Sequence, residues 1–117
     1  MNNVILEKSM SFAIRVVNLY KYLGEEKKEF VLSKQLLRSG TSVGANVREA
    51  IQGQSKKDFT AKMSIALKEA VEAEYWLELL YKTSYLTEEQ YKGIGTDCGE
   101  IVKLLTAIVK SSRESRP

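Results

Sequence analysis

The 117-residue chain contains no histidine, a single cysteine and a single proline. Without histidine it lacks the usual proton carrier near neutral pH and the side chain that most often activates a nucleophile. Cys98 cannot close an internal disulfide; it reads as a small core hydrophobe and suits a reducing compartment such as the cytoplasm. The proline is Pro117, so no helix is interrupted from within. No run of about eighteen apolar residues is present, which argues against a helical membrane span. The opening "MNNVILEKSMSFAIRV" has no basic region followed by an uncharged apolar block and a small-residue cleavage site, so no secretory signal is expected.

What the chain does contain is 44% apolar and 28% charged residues, the balance of a soluble, folded protein. Its length allows one core but not two, and residues 1–117 are read as one domain. A net charge of +3 permits an anionic partner without demanding one.

Apolar spacing predicts four helices and no strand. From Val4 to Leu23, the residues Ile5, Phe12, Val16, Leu19 and Leu23 share one face, and the polar "GEEKKE" that follows reads as a turn. From Glu29 to Gly53, a stripe of Leu32, Leu36, Gly40, Val43, Val47 and Ile51 predicts the second helix. Ser55 with Asp58 three residues on resembles a capping box opening the third, "SKKDFTAKMSIALKEAVEAEYWLELLYKTSYL". Thr87 with Gln90 opens a fourth that runs to about Ser112, with Ile94, Ile101, Leu104, Leu105 and Ile108 inward. Gly93, Gly95 and Gly99 predict weak first turns there, and "SSRESRP" is expected to fray. Four long segments with short turns favour an antiparallel up-down-up-down bundle.

The stretch "LRSGTSVGANVREA", Leu37 to Ala50, has helical spacing yet is rich in residues a free-standing helix disfavours. Gly40 and Gly44 fall on the buried stripe, where they let a neighbouring backbone come close. Beside them Arg38, Ser42, Asn46 and Glu49 form a polar line, which reads as a satisfied network at a helix interface in preference to a ligand site. A phosphate loop would need a Lys followed by Ser or Thr after a glycine-rich turn fed by a strand, and none is present. In "KEAVEAEYW", Glu69, Glu72 and Trp76 share a face. Helical di-metal centres add a Glu-x-x-His from each of two helices, so without histidine a carboxylate-only magnesium site is the weaker reading. No metal or cofactor is expected. The preferred reading pairs Glu69 and Glu72 with Arg38 or Asn46, across the second and third helices or across subunits. Trp76 is expected to pack, with its indole N–H finding a partner.

These blocks together, "LRSGTSVGANVREA", "SKKDF" and "IALKEAVEAEYWLELL", resemble a family of small four-helix-bundle proteins encoded in intervening sequences of bacterial 23S ribosomal RNA genes. The resemblance runs from about Arg15 to the end of the fourth helix. It implies a left-handed antiparallel bundle that assembles as a symmetric homopentamer, with RNA or DNA as proposed partner and no catalytic residue. A more distant similarity is to basic pentameric accessory proteins of retroelements, which work beside a reverse transcriptase.

The basic residues are distributed unevenly. Lys8, Arg15 and Lys21 precede Gly24 with no acid among them, and Lys103, Lys110 and Arg113 follow Ile101 with no acid among them. Lys8 and Arg15 are seven apart, as are Lys103 and Lys110, so each pair shows on one helix face. The first helix also carries Met10, Ile14, Val17 and Tyr20 beyond its core stripe, more apolar surface than one bundle face needs. The leading expectation is a non-enzymatic homo-oligomer that binds nucleic-acid backbone through these six cations; the alternative is an oligomeric scaffold or protein-interaction module. An enzyme is disfavoured because no nucleophile–base pair is in sight.

Overall fold

A computed structural model describes residues 3–114 of the chain, which form four helices and, among those residues, no strand. They are α1 (Asn3–Glu26), α2 (Leu32–Gln52), α3 (Lys56–Lys82) and α4 (Glu88–Glu114). The helices pack side by side into a body of 51 × 20 × 20 Å. Each of α1/α2, α2/α3, α3/α4 and α1/α4 is in close backbone contact, whereas α1 and α3, like α2 and α4, are diagonal, with no close backbone approach among the described residues.

The predicted inward stripes form the core. Ile5, Phe12, Val16 and Leu23 of α1 are buried in one cluster with Leu36, Val43 and Val47 of α2 and Ile94, Ile101 and Leu105 of α4. Leu104 and Ile108 are only partly buried at its edge. The α3 contribution is lined by small residues, Ala66, Ala70 and Ala73 between Met63 and Leu77, so α2 and α3 approach closely along the most extensive seam. The order of contacts reverses along this seam: Arg38 of α2 reaches Glu69 and Glu72 of α3, while the later Glu49 reaches the earlier Lys62.

Local chemistry sets the ends. Thr87 and Gln90 make the full reciprocal box, the Gln90 backbone N–H donating to the Thr87 hydroxyl and the Thr87 backbone N–H to Gln90 Oε1, at 3.1 and 2.9 Å. Ser55 accepts from the Asp58 N–H at 3.0 Å. The second helix begins at Leu32, three residues later than the periodicity suggests, because Glu29 is used differently. Its carboxylate accepts from the N–H groups of Val31, Leu32 and Ser33, satisfying donors at the α2 N-terminus that have no helical partner. Burial would raise the Glu29 carboxyl, but these backbone donors outweigh it and hold the group below its ordinary range. The third helix stops at Lys82, where Thr83 and Ser84 begin the turn and Ser84 takes a left-handed φ of 71°. Despite its glycines α4 is continuous from Glu88. Ser111 to Glu114 are helical, and the rest of the stretch expected to fray lies outside the described residues.

Candidate functional site

The composition of Leu37–Ala50 is accounted for by two physical features. Its hydroxyls and its one side-chain amide fold back onto α2: Ser39, Thr41 and Ser42 donate to the carbonyls of Gln35, Leu37 and Ser39 at 3.0, 2.7 and 3.0 Å, and the Asn46 amide donates to Ser42 O at 2.9 Å. Buried hydroxyls therefore carry no unmet hydrogen bond. The second feature is close approach, and it is concentrated at Gly40. A Cβ there would lie 2.8 Å from Val16 Cγ2 and 3.0 Å from Cγ1. Gly44 differs from its sequence reading: it is only partly buried, at the rim of the α1/α2 seam, where a Cβ would meet Ser9 at 3.4 Å or more.

The polar line on α2 divides instead of forming one network. Arg38 donates to Glu69 Oε1 at 3.2 Å and to Glu72, and Glu72 also accepts from the Trp76 indole N–H at 3.0 Å. The indole and then the guanidinium hold the Glu72 carboxyl below its ordinary value. Glu49 pairs with Lys62 at 2.8 Å at an exposed position, whereas Asn46 stays within its own helix. Ser42 and Asn46 thus serve α2, and Arg38, Glu69, Glu72 and Trp76 clamp α2 to α3. Among the described residues no three acidic, cysteine or histidine side chains gather to hold a metal ion. Cys98 is buried, donates to Ala70 O at 3.4 Å, and its thiol is pushed up to about 12, by burial first and then by the charges of Glu74 and Asp97.

The six cations separate into two groups. Lys8 pairs with Glu100 at 3.2 Å, and Arg15 pairs with Asp97 while donating to the Gly93 carbonyl at 3.4 Å. The α1/α4 seam is bridged by these two pairs, so α1's acid-free run faces acids supplied by α4. Charge spacing along a single helix does not reveal such a pairing, which depends on what the neighbouring helix presents. Lys21 is exposed, as are Lys103 and Lys110, and none of the three makes an ion pair among the described residues. Arg113 donates to the Ser64 hydroxyl of α3 at 3.4 Å and remains exposed. Thus Lys103, Lys110 and Arg113 form a basic strip along the outer side of α4. Lys21 stands apart, near the far end of α1. No helix among the described residues is long and apolar enough to cross a membrane.

Comparison with known proteins agrees with this four-helix arrangement. A solved structure from Bacteroides thetaiotaomicron VPI-5482, described as a protein of unknown function from the S23 ribosomal protein family, is 63% identical. It superposes with a TM-score of 0.90, over 92% of this chain and 96% of that one. No curated protein matches the chain. The family model for the 23S rRNA-intervening sequence protein matches residues 1–107, nearly the full length, and the chain therefore belongs to that family.

Proposed function

We propose that this protein is a non-enzymatic homo-oligomer of antiparallel, up-down-up-down four-helix bundles, most simply a pentamer in the cytoplasm, that binds RNA or DNA backbone. The observation that carries the reading is the strip of Lys103, Lys110 and Arg113 on α4, exposed and without an acidic partner among the described residues. The antiparallel reading is supported by the order of contacts: Lys8 and Arg15 meet Glu100 and Asp97, and Arg38 and Glu49 meet Glu69 and Lys62. Three cations on one subunit bind phosphate weakly; symmetric repetition merges several strips into one stronger field. Recognition of this kind reads phosphate and is tolerant of sequence.

Binding of labelled RNA and DNA across a salt series tests the proposal. Each phosphate neutralised contributes about 0.9 to the log–log salt slope on duplex DNA. Changing Lys103 and Lys110 together to Glu should remove most binding and flatten the slope while helicity and oligomer size stay unchanged. Equal affinity and slope in parent and variant would make the strip an ordinary solvated surface. The scaffold reading would then stand in its place, favoured by the exposed apolar side chains Met10, Ile14, Val71 and Tyr75.

A further inference from the structure

The glycines of α4 have no common explanation inside the subunit. A Cβ at Gly93 would press on the Arg15 guanidinium at 2.9 Å, so that glycine leaves room for the α1/α4 bridge. At Gly95 a Cβ would meet nothing nearer than the Tyr91 ring at 3.6 Å, and at Gly99 nothing nearer than Glu74 Oε2 at 3.9 Å. Alanine would fit at both positions and suits a helix interior better than glycine does. The two glycines leave α4 bare beside α3. There a groove of about 350 Å³ is lined by Val71, Glu74, Tyr75, Glu78, Tyr91 and Gly95. Val71 is 48% and Tyr75 57% exposed.

The opposite side of the molecule carries the complementary feature. On α1, Ile14 is 54% and Met10 46% exposed, and the ridge continues through Val17 to Lys21. Because α1 and α3 are diagonal, ridge and groove face away from each other. They also lie at matching levels. Arg15 reaches Gly93 and Asp97, and the neighbouring Cys98 reaches Ala70, which sets Ile14 level with Val71. Seven residues further along each helix, Lys21 comes level with Glu78. The ridge between Lys8 and Gly24 has no acid, whereas Glu74 and Glu78 line the groove, Glu78 in an exposed pair with Lys82 of its own helix at 2.8 Å that Lys21 would share.

We infer that the groove between α3 and α4 receives the α1 ridge of a second copy of this chain. In this contact Ile14 and Val17 pack over Val71 and Tyr75 against the bare backbone at Gly95 and Gly99, and Lys21 meets Glu78. The inference rests on the homo-oligomer proposed above and on its antiparallel helix order, which makes α1 and α3 run in the same direction. Copies related by an axis parallel to the helices keep their levels, so residues at the same height meet. Two different faces in contact form a heterologous interface, which closes into a ring when the rotation allows.

Disulfide trapping tests it. Chains carrying Ile14→Cys and chains carrying Tyr75→Cys are assembled separately and as a mixture, oxidised mildly and resolved by mass, with light scattering of the parent alongside. The buried Cys98 serves as the internal negative control. The expected result is an oligomeric parent, a cross-link between the two kinds of chain in the mixture, and little cross-linking in either alone. A Gly95→Leu chain should keep its helicity and shift toward monomer. An oligomeric parent with no mixed cross-link, or with Ile14→Cys chains linking to themselves, overturns this interface and leaves the oligomer standing. A monomeric parent at tens of micromolar overturns both.

Discussion

Two glycines one helical turn apart should respond to alanine with opposite signs. At Gly40 the new Cβ would sit 2.8, 3.0 and 3.3 Å from Val16 Cγ2, Cγ1 and Cβ, well inside the 3.5–4.0 Å or so at which carbon atoms rest. Val16 is fully buried and β-branched, so it has no alternative rotamer to retreat into. Either α1 moves off α2 or Val16 is strained, at a cost on the order of 1–3 kcal/mol. Against that stands a gain of about 1 kcal/mol in helix propensity. Three simultaneous close contacts with a stiff, enclosed side chain place the steric cost at the upper part of its range, and a net loss of about 1–2 kcal/mol is expected. At Gly44 the nearest atoms are Ser9 Oγ at 3.4 Å and Ser9 O at 3.5 Å, ordinary contact, so the propensity gain survives and Gly44→Ala should stabilise by about 0.5–1 kcal/mol.

The assay is urea unfolding followed by far-UV circular dichroism, at one fixed chain concentration because assembly adds to apparent stability. Val16→Ala provides the decisive background. With the two methyl groups gone, Gly40→Ala should change from destabilising to neutral or better, a coupling of about 1 kcal/mol or more between the two positions. If Gly40→Ala and Gly44→Ala shift the midpoint in the same direction, or if the Val16 background leaves the Gly40 effect untouched, the close-contact reasoning is wrong.

Glu29→Gln should cost about 1–2 kcal/mol, since a neutral amide replaces a charge-assisted acceptor at the α2 N-terminus. Because the folded-state value of Glu29 lies below its ordinary 4.5, its stabilisation is complete above the unfolded value and is lost as pH falls through the folded one. Denaturation midpoints across that acidic window should therefore fall more steeply for the parent than for Glu29→Gln; parallel curves would refute the assignment. The Cys98 thiol, pushed up to about 12, should resist a thiol reagent in native buffer at mildly alkaline pH and react only as denaturant unfolds the chain. Prompt modification of the folded protein would mean that the α3/α4 seam opens readily.

What could be read from the sequence was local, and what could not was a matter of which residue stands opposite. The stripes of α1 and α2 and the Thr87–Gln90 cap are each decided within a turn or two of helix, so spacing alone revealed them. Glu29 escaped that reading because its longer side chain reaches the α2 donors from beyond the positions where a capping Ser, Thr or Asp is sought. Gly40 and Gly44 are equivalent in any helical projection; only α1 tells them apart, by presenting Val16 to one and Ser9 to the other. The cations obey the same logic. Lys8 and Arg15 have the same seven-residue spacing as Lys103 and Lys110, yet one pair borders a neighbouring helix whose acids lie at its level and the other is turned outward. Seven-residue spacing shows that two charges share a face, and packing then decides whether that face meets protein or water. For this reason the charge reversal belongs at Lys103 and Lys110. Reversing Lys8 and Arg15 would set acids against Glu100 and Asp97 and disturb the α1/α4 seam, so any loss of nucleic-acid binding there would report folding as much as contact.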